Sequence, residues 1–358
     1  MSDKKEIYLS ASRIKTAQQC SWIYWCKYIL KLPDKSNDGA SKGWICHLIF
    51  EVLGKDRRKP YFDKIIKDKT AFKIKSIKKL ITKHAIKLNV NTKEHLEDMD
   101  RMIVRGLDYD FFGEEGGEIV KAFSEKEFNI SVDEGNVKYN IRGFIDKLFL
   151  YKNNSAVIRD FKTSKQKFKG KEISDNMQDL MYCLAIKKLF PEYKSLSEFL
   201  FLKFELAKDI LGEPGDGVIR MNELSDDVLE GFELELSSIQ NYLETFDQDR
   251  AQSNFASDQG YPKDGTFGGP LCCGKDGFKM CRGEPVKDES GKPIKAFICQ
   301  FRKAFKYAVP LDSENKFKKS VFYEDKEQLD EIKEEGDSIE IREYEGCPAW
   351  QSNEKFEL

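Results

Sequence analysis

The chain has 358 residues, 40% apolar and 34% charged, with a net charge of −2. That suffices for one large domain or two small ones with a buried core. No run of about 18 uncharged apolar residues occurs, so no membrane span is expected, and "MSDKKEIYLS" lacks a secretion signal's apolar stretch, so a cytoplasmic location is expected, the host cytoplasm for a viral source.

Ser10 is placed to cap a helix over 11–29, "ASRIKTAQQCSWIYWCKYI". The Pro, Asn, Asp and Gly of 32–41 predict a loop, and 42–54 a second helix ending at Gly54. From Lys55 to Lys87 thirteen Lys/Arg face three Asp, a balance of +10. Ile74, Ile77, Leu80, Ile81 and Leu88 fall near helical spacing there, which predicts one or two amphipathic helices. So much positive charge suggests contact with a polyanion; the plain alternative is a solvated helix face.

A further helix over 92–112 precedes a change of period. Residues 126–132, 137–151 and 155–163 read as strands, the last two joined by a tight "KNNS" turn. A helix over 175–190 stops at Pro191, strands follow at 197–206 and 217–224, and a long helix at 225–250. Beyond a Gly- and Cys-rich loop, residues 312–358 carry fifteen acids against seven bases. This order predicts a mixed α/β domain with its sheet in the middle.

Two of the strands carry isolated charges. In "RGFIDKLFL…VIRDFKTSK" the acids are Asp146 and Asp160, and Lys162 follows the second by two residues. Alternation puts Asp160 and Lys162 on one face. Paired strands lie about 4.8 Å apart, so Asp146 can stand beside Asp160. Two such carboxylates form a hard-oxygen pocket for Mg²⁺ or Mn²⁺. Beside them Lys162 is favoured in its charged form, suited to orienting water or stabilising negative charge. A salt-bridge ladder on an edge strand is the structural alternative.

"GFIDKL" and "IRDFKTSK" resemble the G-x-x-D and acid-x-Lys strands of the PD-(D/E)XK nuclease superfamily, in its RecB/AddB-like branch, which includes CRISPR-associated adaptation exonucleases. "NMQDLMYCLAI" is similar to the branch's Q-x-x-x-Y helix, giving Gln178 and Tyr182, and "KGWICHLIFEVL" to its G-x-x-x-H-x-x-x-E helix, giving Gly43, His47 and Glu51. "LSASRIKTAQQC" resembles its N-terminal S-x-S…C helix. The motifs run in order over roughly residues 8–300.

The resemblance implies an α/β restriction-endonuclease-like core, a central mixed sheet flanked by helices. The nuclease domain would span 1–305, with a helical insertion about 55–115 and a Cys-rich loop about 265–300, and 306–358 would be an acidic extension. It implies metal ligation by His47, Asp146, Asp160 and the Phe161 carbonyl, catalytic contributions from Lys162, Gln178 and Tyr182, and further roles for Glu51 and Glu127. Glu51 shares a helix face with His47 and would equally serve to orient it; for Glu127 an ordinary exposed strand acid is the alternative.

Nine cysteines in a cytosolic chain suggest thiols or metal ligands over disulfides. Iron–sulfur members of the branch use one N-terminal and three C-terminal cysteines. Cys20, Cys272, Cys273, Cys281 and Cys299 are the candidates for a 4Fe-4S cluster, although the C-terminal spacing departs from the family's, with Lys275 where a cysteine is expected. Zinc is the second reading and free thiols the third. Cys26, Cys46, Cys183 and Cys347 read as structural.

The expected function is metal-dependent hydrolysis of DNA phosphodiesters, as an exonuclease in replication, recombination or repair. The rivals are an inactive nuclease-fold DNA-binding subunit and an RNA- or structure-specific endonuclease. DNA, single-stranded or with free ends, is the expected partner, with a helicase or other recombination protein as a further one, because no G-x-x-x-x-G-K-[ST] loop is present.

Overall fold

A computed structural model describes residues 6–256 and 299–350, apart from positions 36, 211, 315 and 335. In chain order the helices are α1 Ala11–Gln19, α2 Ser21–Tyr24, α3 Asp38–Leu53, α4 Lys59–Asp68, α5 Lys75–Lys87 and α6 Lys93–Asp108. Strands β1 Ile119–Glu134, β2 Val137–Tyr151 and β3 Ser155–Lys162 follow, then α7 Lys171–Ser174, α8 Met177–Leu189, β4 Lys194–Phe201 and β5 Val218–Arg220. The remainder is α9 Asp226–Glu244, α10 Gln248–Ala251, β6 Phe305–Leu311, β7 Val321–Phe322, α11 Lys326–Ile332 and β8 Ser338–Tyr344. Contacts divide the chain into two units, Met1–Ala11 with Ser36–Asn241, and Ser12–Lys35 with Tyr242–Leu358. Among the described residues no helix is long and apolar enough to cross a membrane.

The first unit is built on a mixed sheet of order β1-β2-β3-β4-β5. All its pairings are antiparallel except β3 with β4. That parallel pair needs a crossover, and α8 supplies it. Asn176 starts α8, its side chain accepting from the Gln178 and Asp179 amides. The β2–β3 hairpin turns at Asn154, whose φ of 60° suits an Asn, and its register pairs Lys147 with Arg159.

Helix α3 carries apolar residues almost all round, because it is covered on several sides. Ile45, Ile49, Phe50 and Leu53 pack with Ile65 of α4, Ile77 and Ile81 of α5, and Met102 and Ile103 of α6. Phe50 lies against Phe161 of β3, ring centroids 4.3 Å apart. At Gly43 an added Cβ would come within 2.7 Å of Thr163 Oγ1, so only glycine lets the helix lie this close to the end of β3. The Asn37 side chain caps α3 by accepting from the Ala40 amide, so the helix begins four residues before the predicted start at 42.

Arg159 is buried on the sheet's α3 side. Its guanidinium meets Glu198 Oε2 at 2.9 Å and Asp110 Oδ2 at 3.3 Å, and Arg220 Nε meets Glu198 Oε1 at 2.8 Å. Burial alone would raise the Glu198 pKa, but the two arginines outweigh it and hold the carboxyl below its usual range.

Two expectations need correction. The predicted helix over 11–29 is interrupted at Cys20, whose backbone is extended. Ser21 is drawn to the 251–254 segment instead: its amide donates to the Asn254 carbonyl and its hydroxyl to the Ala251 carbonyl. A π-helical turn over Trp25–Ile29 follows α2. The stretch read as a charged tail also has structure, a sheet of order β7-β6-β8 with α11 beside it. Its core includes Trp22, Phe301 and Tyr344, where Trp22 Nε1–H donates to the Tyr344 hydroxyl, which donates to the Phe301 carbonyl.

Glu198→Ala would leave the buried Arg159 and the partly exposed Arg220 without their shared carboxylate. Denaturant unfolding should show a loss of about 3–5 kcal/mol; an unchanged midpoint would mean that Asp110 alone suffices for Arg159.

Candidate active site

At one end of the sheet β2 and β3 part, and the side chains of the charged strands fill the gap. Asp146 Oδ2 accepts from the Phe161 amide at 2.7 Å. Asp146 Oδ1 lies 3.3 Å from His47 Nδ1, and His47 Nε2 lies 3.1 Å from the Phe161 carbonyl. Both nitrogens of the ring therefore face acceptors, which suits an imidazolium. Burial alone would lower the His47 pKa, but the Asp146 hydrogen bond and the charges of Asp146, Asp160 and Glu125 outweigh it and raise it to about 9. In the metal-free protein a positive charge thus stands between the acceptors that a bound cation would use.

Asp160, 4% exposed, is more enclosed than its neighbours Asp146 and Glu125. Its Oδ1 accepts from the Tyr182 hydroxyl at 2.9 Å and from Gln178 Nε2 at 2.7 Å. Lys162 Nζ lies 2.6 Å from Oδ2 in a close ion pair and also donates to Gln178 Oε1 at 2.6 Å. Burial raises the Asp160 pKa, with Lys162 opposing and Asp146 reinforcing the shift. Gln178 and Tyr182, one turn apart on α8, thus orient one carboxylate oxygen while Lys162 pairs with the other.

A residue that sequence reasoning passed over completes the cluster. Ligand atoms of His47, Glu125 and Asp146 all lie within 4.8 Å of one another, the one such group of three among the described residues. Glu125 sits within β1 at a φ of 50°, a left-handed conformation that costs a non-glycine residue about 1–2 kcal/mol. Burial, then Asp146, push its carboxyl up to about 7 despite the opposing effect of His47. The pairing of Ser124 with Lys147 and of Lys126 with Ile145 brackets Glu125 opposite Asp146. Extending the predicted hairpin back past residue 126 would have exposed this alignment; the left-handed backbone carries no sequence signal.

Glu127 and Glu51 are not members of this group, although the Glu51 charge acts on Glu125. Glu127 is exposed and pairs with Arg142 at 2.6 Å. Glu51 is ion-paired to Lys55 at 3.5 Å, one turn along α3 from His47. Gly143 of the G-x-x-D strand has a packing reason: an added Cβ would meet the Phe128 ring at 2.5 Å.

Cys272, Cys273 and Cys281 lie outside the described residues. In the second unit Cys20 and Cys299 line one apolar pocket with Cys347, and Cys26 packs in the same core. Burial pushes the Cys299 thiol up to about 12, so it is neutral at physiological pH in the metal-free protein.

The His47–Glu125–Asp146 group, with the Phe161 carbonyl and with Asp160 near enough for its charge to act on His47, is an oxygen-rich donor set with one imidazole, suited to Mg²⁺ or Mn²⁺. Protons compete with metal here, because His47 is protonated below about 9 and Glu125 below about 7. Mg²⁺ affinity should therefore climb from about pH 6 and level off above about 9, with roughly two protons released per ion near pH 6 and about one at pH 8. Calorimetry in two buffers of different ionisation enthalpy reads this directly. A flat affinity without proton release would place the cation elsewhere.

No curated protein matches this chain. Among solved structures, one titled "Crystal structure of SSO0001" is 18% identical, with a TM-score of 0.26, covering 46% of this chain and 68% of its own. A sequence model for the PD-(D/E)XK nuclease superfamily matches residues 8–257. With both charged strands, α3 and α8 inside that span, the chain belongs to the PD-(D/E)XK nuclease superfamily.

Proposed function

We propose that the protein is a divalent-metal-dependent DNA nuclease, acting as an exonuclease of the RecB/AddB-like kind in replication, recombination or repair. The observation that carries this reading is the convergence of His47, Glu125 and Asp146, whose ligand atoms lie within 4.8 Å of one another, close to the Asp160–Lys162 ion pair. Asp146, His47, Glu125 and the Phe161 carbonyl, with Asp160 alongside, would hold Mg²⁺ or Mn²⁺, which would supply Lewis acidity and lower the pKa of water.

The chain's own residues do the rest. Tyr182 and Gln178 fix the orientation of the Asp160 carboxylate, so it needs little reorganisation on binding. Lys162, tethered to Gln178 and close to Asp160, holds its ammonium where the attacking water and the developing negative charge of a phosphodiester would lie. The strand end forbids a longer side chain at position 43, which keeps His47 over Asp146. The intact lysine and acids favour an enzyme over an inactive DNA-binding subunit. Exonuclease action implies a helicase or similar partner for duplex substrates.

A second cofactor reading rests on the thiol pocket. Cys20, Cys299 and Cys347 supply soft donors in apolar surroundings, which fits a thiolate-bound metal centre. Among the described residues no three sulfurs approach within 4.8 Å of each other. The iron–sulfur reading, with zinc as its alternative, therefore needs cysteines beyond these three.

Asp146→Ala, Asp160→Ala and Lys162→Ala should each lower cleavage of end-labelled DNA by at least about a hundredfold with Mg²⁺ or Mn²⁺, with circular DNA spared. Wild-type-like cleavage by any folded one of the three would remove that residue from the site, and cutting of closed circles would replace exonuclease with endonuclease. Protein purified anaerobically should be brown and retain iron, and Cys20→Ser should lower its melting temperature. Colourless protein with stoichiometric zinc, or with no metal, would exclude the cluster.

A further inference from the structure

Trp44 is the one half-exposed tryptophan among the described residues, 51% open to solvent on a helix otherwise sunk in the core. It lies three residues before His47 and next to Gly43, which abuts Thr163 at the end of the Lys162 strand. Residues at i and i+3 are neighbours on a helix surface, so Trp44 flanks the candidate metal cluster by about one turn. Its ring meets His84 of α5, centroids 4.9 Å apart at 64°. Lys83 and Lys87, exposed on the same helix, lie close enough for their charges to act on His84. Burial, Lys83 and Lys87 all lower the His84 pKa, which leaves that ring neutral.

A large aromatic surface left in water costs free energy unless something covers it. The surroundings narrow the candidates. Cationic side chains with a second aromatic ring beside them suit an anionic ligand carrying flat rings. Lys75, Lys78 and Lys79 extend the positive surface along the exposed side of α5, whose buried side is Ile77, Ile81 and Ala85.

We propose that Trp44, braced by His84 and flanked by Lys83 and Lys87, is a stacking platform for one unpaired DNA base next to the scissile phosphate. The platform holds a single strand in register with the metal cluster, because Trp44 and His47 share a rigid helix. A paired base, already stacked between its neighbours, cannot use it, so the platform selects single strands and frayed ends. The base-stacking assignment rests on the nuclease reading only for the identity of the ligand.

Binding measured in EDTA separates the two, since no cleavage occurs there. The probes are a fluorescein-labelled single-stranded oligonucleotide and the same sequence as a blunt duplex. Trp44→Ala should weaken single-strand binding about five- to 150-fold, the equivalent of about 1–3 kcal/mol per stacked base, and leave duplex binding within about twofold. Trp44→Phe should retain most of the affinity. A single abasic residue walked along the strand should weaken binding to wild type sharply at one position, and that dip should vanish in Trp44→Ala. Circular-dichroism melts confirm that each variant is folded. Equal binding by folded Trp44→Ala and wild type, equal weakening of strand and duplex, or an abasic dip that survives the substitution would overturn the platform, even with cleavage intact. Trp44-dependent binding in a protein that cleaves nothing would sustain the platform and sink only the nuclease reading.

Discussion

The site depends on a single carboxylate placed where two strands separate. Asp146 takes the Phe161 amide that sheet pairing would otherwise claim and presents its other oxygen to His47. The bond fixes the divergence of β2 and β3, and the ring it holds reaches the Phe161 carbonyl. One aspartate thus joins the hairpin to α3 and turns both polar groups of Phe161 toward the same cluster. The Phe161 side chain points away, into the aromatic core with Phe50 and Phe111. The backbone of this residue belongs to the site and its ring to the fold, so the site inherits the rigidity of the core.

Electrostatics explains why such a cluster survives without its cation. Four ionisable groups stand together in partly or wholly buried positions, and each additional negative charge raises the cost of the next. The protein answers with protons. His47 is charged up to about pH 9 and Glu125 is neutral up to about pH 7, so the cluster carries less net negative charge than its formal count. Stability contributed by the raised His47 pKa is fully present below the unfolded value near 6.5 and fades as pH rises through about 9. A bound cation would take over that balancing role, and the surrender of protons would couple metal affinity to pH.

Strand alternation and the "KNNS" turn were enough to bring Asp146, Asp160 and Lys162 to neighbouring strands, because period-two patterning and turn chemistry are local. Helix periodicity likewise put Gln178 and Tyr182 on one face, and both touch Asp160. What escaped the sequence depended on distant contacts. Glu125 joins the cluster through the far part of a long hairpin and a left-handed residue that a Glu does not advertise. Cys20 breaks a helix of good local propensity because Ser21 bonds to residues 251 and 254. In the sheet of Phe305–Leu311, Val321–Phe322 and Ser338–Tyr344 the last strand was masked by its charge, since a strand exposed on both faces lacks apolar alternation.

The claim on which the rest turns is that one cation sits among His47, Glu125, Asp146, Asp160 and the Phe161 carbonyl. Anomalous scattering from crystals soaked in Mn²⁺ locates the ion without reference to activity. The account predicts a peak within about 2.0–2.6 Å of an oxygen of Asp160 and an oxygen of Asp146, the range of bonds to hard divalent cations, with the His47 ring turned from its present bridge to ligate it. A fully occupied Mn²⁺ elsewhere, with His47 still bridging Asp146 and Phe161, would contradict it.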